Sequence, residues 1–245
     1  TELDLTQPDA DETLAGLLNP YDTLLFVSAK APVKTESMLI ENLKMGTSIC
    51  EAVKKSPVQH LVYISSDAVY ADSDHPINEN SCAQPNSLHG VMHLAREVML
   101  ANAWQGPLCI LRPTLIYGSG DPHNGYGPNR FMRQTKKGEN IFLFGEGEER
   151  RDHVWIQDVA DLTCRVLCHQ SIGSLNIATG SVVSFREIAE QVMQLVPSSS
   201  QIKGSVRSGA MPHNGYRAFD PTATHQAFRD FTYTNLKDGL RKVHG

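Results

Sequence analysis

The feature that most constrains this chain is the alternation, across its first half, of short β-branched runs with amphipathic helical stretches. Residues 23–28 (TLLFVS), 60–65 (HLVYIS) and 108–112 (LCILR) are apolar runs of strand length. Between the first two, Leu39, Leu43, Ile49, Cys50 and Val53 keep to one broad face of a helix expected over residues 36–54. A second helix is expected over residues 88–100. A continuous apolar strand has no solvent face and must be covered on both sides. Helices between such strands provide the cover, so the pattern predicts a parallel sheet with helices on both faces.

After Tyr117 the character changes. Residues 118–129 (GSGDPHNGYGPN) form a Gly/Pro/Asn loop too long for a simple connection, which marks it as functional. Short strands are expected at residues 141–144 and near Val154, separated by Gly145-Glu146-Gly147. Asp158 is placed to cap a helix running to about Cys168. Ser184 and Glu187 form an S-x-x-E capping box ahead of Ile188, Val192, Met193 and Leu195. Residues 197–200 (PSSS) read as a loop and residues 235–243 as a last short helix. This half is expected to be a smaller mixed lobe at the carboxyl edge of the sheet, where open α/β sheets bind ligands.

A chain of 245 residues buries a real core in one or two closely joined lobes. The net charge of -5 argues against a protein that coats nucleic acid or a membrane surface, since both need a basic face. A local cluster of arginines can still hold one anionic ligand. No apolar run approaches the roughly 18 residues that cross a bilayer, the first residues show no signal-peptide pattern, and the cytoplasm is the expected compartment. The five cysteines form no CxxC pair, and Cys164 and Cys168, four apart on a predicted helix, read as packed thiols.

Four stretches, in order, resemble the extended short-chain dehydrogenase/reductases of the nucleotide-sugar epimerase/dehydratase family. Residues 22–29 (DTLLFVSA) match a strand that ends in small residues beneath the cofactor, followed by Asn42 and Gly46-Thr47 in an N-x-x-x-G-T helix. Residues 61–70 (LVYISSDAVY) match the family's second strand and turn, with Glu79 and Pro85 at the expected spacing. Residues 111–118 (LRPTLIYG) match R-P-x-x-x-Y-G, and residues 144–158 (FGEGEERRDHVWIQD) match F-G-x-G-x-x-x-R-D-x-v-x-V-x-D. The resemblance implies a Rossmann-type, doubly wound α/β sheet with a smaller mixed C-terminal substrate lobe. The Rossmann part would take residues 1–118 and about 151–170, lacking its first βαβ unit, and the substrate lobe residues 119–150 and 171–245.

The resemblance also implies a chemistry. NAD or NADP takes a hydride from a sugar carbon while a tyrosine removes the hydroxyl proton. A lysine four residues later tunes the tyrosine and grips the nicotinamide ribose, and a Ser or Thr hydrogen-bonds the same hydroxyl. Ser66 holds that Ser/Thr position, and Asp67 follows it as in sugar dehydratases, where it can donate a proton. The dehydratase Glu is replaced by Ala68, which weakens that variant of the chemistry. Cofactor contacts fall on Asp4, Leu5, Ser28, Ala29, Lys30, Asn42, Ser65 and Pro113. Substrate contacts fall on Asn129, Phe144, Arg151 and Arg217, with Arg151 on the diphosphate. Arg151 could instead be a surface ion-pair partner of Glu149 or Asp152, and Phe144 a core residue.

The tyrosine and lysine positions carry His89 and His93, within a helix that otherwise keeps the family pattern through Leu94, Ala95 and Glu97. Three readings stay open. His89 is a working acid/base group, since a free imidazole titrates near pH ~6.5; the chemistry is altered or lost, since imidazole is shorter than tyrosine and His93 has no fixed charge; or the i, i+4 pair holds a metal, for which the sequence offers no third ligand and none is predicted. No G-x-G-x-x-G turn occurs. The family's first strand, glycine turn and first helix would precede Thr1, and the chain is expected to be a fragment of a longer protein. The expected function is NAD(P)-dependent epimerisation or oxidation/reduction of a nucleotide sugar, with Ser66 orienting the hydroxyl, His89 exchanging its proton and Arg151 holding the diphosphate. The rival is a catalytically silent homologue that binds a nucleotide, a nucleotide sugar or a protein. By resemblance, a homodimer through the helix bearing His89 and His93 is expected.

Overall fold

The computed structural model describes residues 2–122 and 124–244; His123, in the long loop, lies outside them. The chain divides into two compact units. The first comprises Thr1–Ala71, Glu79–Pro113 and Leu162–Asn176, and the second Asp72–Asn78, Thr114–Asp161 and Ile177–Gly245.

The first unit opens with α1 (Ala10–Leu17) and continues as β1 (Thr23–Phe26), α2 (Glu36–Lys55), β2 (His60–Ile64), α3 (Leu88–Ala103) and β3 (Leu108–Pro113). The helices start where side-chain caps allow. Thr35 accepts from the Met38 amide to open α2, and Ser87 accepts from the Gly90 amide to open α3. Strands lie in the order β1-β2-β3-β7, with β7 at Gly173–Ile177. β2 runs parallel to both neighbours, Leu61 sitting beside Leu24 on one side and Leu108 on the other. Phe26, Met45, Ile49, Leu61, Tyr63 and Leu100 form the core against it.

β1 departs from expectation. It ends at Phe26 rather than Ser28, and Leu25 is exposed because β2 is its sole strand neighbour among the described residues. Residues 27–30 continue as an exposed segment without regular structure.

The second unit contains β4 (Leu115–Tyr117), α4 (Pro128–Lys136), β5 (Ile141–Phe144) and β6 (Arg150–Trp155). Then come α5 (Ile156–His169), which passes into the first unit at residue 162, β8 (Val182–Ser184), α6 (Phe185–Leu195), β9 (Ile202–Ser205), β10 (Tyr216–Arg217), α7 (Thr222–Ala227) and α8 (Leu236–His244). β6 is central: β4 and β10 run parallel to it and β8 antiparallel, while β5 and β9 form a separate parallel pair. Tyr117, Phe131, Leu143, Phe185, Ile188 and Leu240 belong to its core. Because β4 pairs with β6, residues 114–118 and 151–161 fall in this unit, where the sequence reading joined them to the sheet of the first.

Two local readings are corrected. Asp158 is the third residue of α5 rather than its cap, and its carboxylate accepts from the Thr234 amide and hydroxyl. Cys164 and Cys168 are exposed, because Leu162 and Val166 occupy the buried face of α5.

Candidate active site

In the first unit, β2 ends at Ile64, Ser65 follows it, and the chain turns through a single 3-10 turn, Asp67–Val69, capped by Ser66. Ser66 Oγ accepts from the Ala68 amide at 3.2 Å and donates to Asp67 Oδ1 at 3.4 Å. The first turn of α3 presses on this turn: a Cβ at Gly90 would stand 2.1 Å from the Ala68 carbonyl oxygen. Glycine is required there for close approach.

His89 and His93 follow on α3 with ring centroids 4.7 Å apart, edge to face. His89 is half-buried and its Nδ1 accepts from the Val33 amide at 3.5 Å. Burial lowers its pKa, opposed by the charge of Asp67. His93 differs. It is buried, its Nδ1 lies 2.8 Å from the Tyr63 hydroxyl, and burial together with the fields of His89 and Arg96 brings its pKa down to about 3. His93 is therefore a neutral core residue and does not reproduce the ammonium of the family's lysine. Among the described residues no group of three or more His, Cys, Asp or Glu could hold a metal ion.

The predicted cofactor residues divide into those that are exposed and those that hold others in place. Ser28, Ala29 and Lys30 are exposed beyond β1. Asn42 is fully buried: its Oδ1 accepts from the Lys30 amide, and its Nδ2 donates to the carbonyls of Lys30 and Met38. Arg96, which the sequence reading passed over, is also fully buried; it donates to the carbonyls of Ser28 and Asn42 and stacks over Phe26 at 4.6 Å. Asn42 and Arg96 thus brace the exposed segment from beneath. Asp4 accepts from the Thr6 amide and hydroxyl and from Gln7, which hold its carboxyl down at about 2, while Leu5 packs on the core. Pro113 is buried at the end of β3. Ser65 donates to Glu97 at 2.5 Å.

Glu97 also receives Arg112 in a two-point pair at 2.9 and 2.5 Å, and Arg112 donates onward to the Tyr70 hydroxyl, which donates to Asn176. This buried network fixes the ends of β2 and β3. The donor set suits the edge of a dinucleotide only in part: an exposed, braced main chain at residues 28–30 is present, and Ser65 and Asn42 are occupied within the protein.

In the second unit, Arg151 on β6 and Arg217 on β10 are register partners on adjacent parallel strands, and both are buried. Glu149 holds Arg151 at 2.6 Å. Asp72 accepts from Arg217 at 3.2 Å and makes a close pair with His213, and Arg207 approaches Glu149 to 3.6 Å. The Glu149 pairing is the alternative that the sequence offered for Arg151, here buried rather than at the surface. Asp72, Arg207 and His213 were not anticipated, because Asp72 and Arg207 meet their partners from far off in sequence and spacing carried no signal. Phe144 is half-exposed and packs on Tyr126 at 4.7 Å between ring centroids, so it is not a core residue. Asn129 accepts from the Gly118 amide and donates to Asp121, both at 3.0 Å, which ties the ends of the long loop together.

The model of the NAD dependent epimerase/dehydratase family matches residues 2–178. The chain belongs to that family. It is 24% identical over 239 residues to a protein of Bacillus subtilis described as an uncharacterized UDP-glucose epimerase, YtcB, covering 93% of this chain and 74% of that one. It is 27% identical over 218 residues to a UDP-N-acetyl-alpha-D-glucosaminuronate decarboxylase of Bacillus cytotoxicus, covering 80% of this chain and 66% of the relative's length. Among solved structures, MoeE5 in complex with UDP-glucose and NAD superposes with a TM-score of 0.83 at 25% identity, over 100% of this chain and 83% of that one. The fold of this epimerase/dehydratase family member is accordingly the Rossmann-type α/β fold.

Proposed function

We propose that this family member acts in the NAD(P)-dependent epimerisation, oxidation or reduction of a hydroxyl carbon on a nucleotide-activated sugar. The observation that carries the reading is the side-by-side placement of Arg151 and Arg217 on adjacent strands, each guanidinium oriented by a carboxylate. Two oriented, buried arginines suit a diphosphate, whose paired anionic groups accept planar donors. The half-exposed Phe144 offers a nucleobase an apolar face.

At the reacting hydroxyl the reading assigns Ser66 to orientation and His89, whose pKa burial lowers, to exchanging the proton, for which Nδ1 must release its 3.5 Å contact with the Val33 amide. A bound nicotinamide would take up or return the hydride. The main chain of residues 28–30, braced by Asn42 and Arg96, would line that cofactor. The exposed apolar side chains of Val91 and Val98 on α3 support the expectation of a homodimer through this helix.

The burial of His93 favours a second reading, in which the chain binds a nucleotide sugar without turnover. Calorimetry with UDP-glucose, alongside a coupled NAD(H) assay, separates the two. Arg151→Met and Arg217→Met should each weaken binding by about tenfold to a hundredfold, and His89→Ala should abolish turnover while leaving binding in place. Affinity that survives both arginine changes rejects the assignment of the diphosphate. Binding without any His89-dependent turnover establishes the second reading.

A further inference from the structure

We propose that the second unit holds a binding site for a small neutral polyhydroxyl molecule, in a cavity lined by His153, Thr179, Ser181, Tyr233, Thr234 and Asn235. The argument begins with His153. It is buried in the middle of β6, and neither ring nitrogen has a hydrogen-bond partner among the described residues. A polar atom left without a partner in a core is costly, and native interiors rarely retain one without a water or ligand. Phe185 stands edge-on to the ring at 5.6 Å between centroids, and Gly127, which has no side chain, lies on the Nε2 side. The Arg151 main chain favours the charged ring weakly against burial, but falls short of a full hydrogen bond to either nitrogen.

The cavity beside His153 measures about 150 Å³. A cavity of that size takes a ligand of about six non-hydrogen atoms, and an apolar example accepts benzene. This one has polar walls. Tyr233 already donates to Thr224 and accepts from the Ala178 amide, Thr179 donates to Asp152, and Thr234 donates to Asp158. Tyr233, Thr179 and Thr234 line the space together with Ser181 and Asn235, although Thr179 Oγ1 also accepts from the Ser181 amide and the Asn235 amide already bonds Asp238 through both ends. No lysine or arginine lines it, and the carboxylates of Asp152 and Asp158 stand behind the wall with their own donors, so an anion is repelled and a cation finds no direct partner. A neutral imidazole offers one donor and one acceptor, which a pair of hydroxyls satisfies.

Water shares this chemistry, so the test separates water from a polyol. The chain is prepared with ¹⁵N-histidine and labelled valine methyls and titrated with glycerol, with 1-propanol as a control of similar size and fewer hydroxyls. The His153 ring and the Val183 methyls should shift saturably with glycerol and far less with 1-propanol. His153→Phe should remove the Val183 response. Thr179→Val and Ser181→Ala, which keep the imidazole, should each weaken it by about threefold to tenfold, the worth of one hydrogen bond. Ring signals unmoved by molar glycerol mean that water alone fills the space, and this overturns the proposal. Equal glycerol responses in the wild type and in either hydroxyl variant overturn it too.

Discussion

His93 Nδ1 lies 2.8 Å from the hydroxyl of Tyr63, and this contact turns the family's lysine position into part of the core. Restoring the lysine should therefore be destabilising. An ammonium there would be desolvated near Arg96, whose field already opposes charge on His93. His93→Lys should lose about 3 kcal/mol or more at pH 7. The folded pKa of such a lysine lies below its unfolded value of about 10.4, so the loss should shrink as pH rises towards that value. Urea denaturation at neutral and alkaline pH measures this, and equal losses at both would count against a buried site.

Acid sensitivity follows from three buried groups. His93 is brought down to about 3 and His153 to about 4, in both cases chiefly by burial. Their folded pKa values lie below the unfolded value of about 6.5, so their contribution is complete above pH ~6.5 and is lost as pH falls towards the folded values. Asp152 runs the other way: burial raises it to about 6, so its protonation on acidification offsets part of the loss. Between pH 7 and 5 each histidine removes just under about 2 kcal/mol and Asp152 returns a little over about 1, leaving a net loss of about 2–3. His93→Phe should roughly halve the histidine part of the slope. Denaturant midpoints across that range decide it, and an unchanged slope would place the sensitivity elsewhere.

Legibility in the sequence followed the range of the interactions. The capping box of Ser184 and Glu187 was readable because both partners lie within one turn, and it forms as written. β2 was readable because a strand covered on both faces is uniformly apolar. α4 escaped notice inside a Gly/Pro/Asn stretch, although Pro128 at its first position is a start signal. In the site, Arg151 and Arg217 could be picked out one by one, but their register pairing joins strands 66 positions apart in sequence. Arg96 was missed because a charged helical residue is ordinarily solvated. Its burial depends on carbonyls of α2 and the segment after β1 that no local pattern encodes.

Glu97 supplies the negative charge of the buried network at the ends of β2 and β3. Glu97→Gln should cost about 3–5 kcal/mol, because Arg112 would remain buried without a counter-charge. Glu97→Met with Arg112→Met should recover a large part of that loss, since it removes both charges together. A double-mutant cycle by chemical denaturation measures the coupling. Additive losses would mean that solvent reaches Arg112 and the pair carries little energy.

Gly90 and Gly46 give a matched pair of alanine tests on α3 and α2. Alanine favours a helix over glycine by about 1 kcal/mol, so local propensity predicts that both substitutions stabilise. Contacts predict otherwise. A Cβ at Gly90 meets the Ala68 carbonyl oxygen at 2.1 Å and the Pro85 Cβ at 2.7 Å, and main chain cannot rotate away. A Cβ at Gly46 meets side-chain atoms of Arg96 and Met99, both at 3.3 Å, and the methionine can swing aside. Gly90→Ala should therefore lose about 1–3 kcal/mol through overpacking, and Gly46→Ala should stay within about 1 kcal/mol of the wild type. Because Ala68 belongs to the turn that carries Ser66, Gly90→Ala should also shift the His89 ring signals, a small displacement of the sort that disables catalysis. If Gly90→Ala proves as stable as Gly46→Ala with the His89 signals unmoved, α3 does not set the position of that turn.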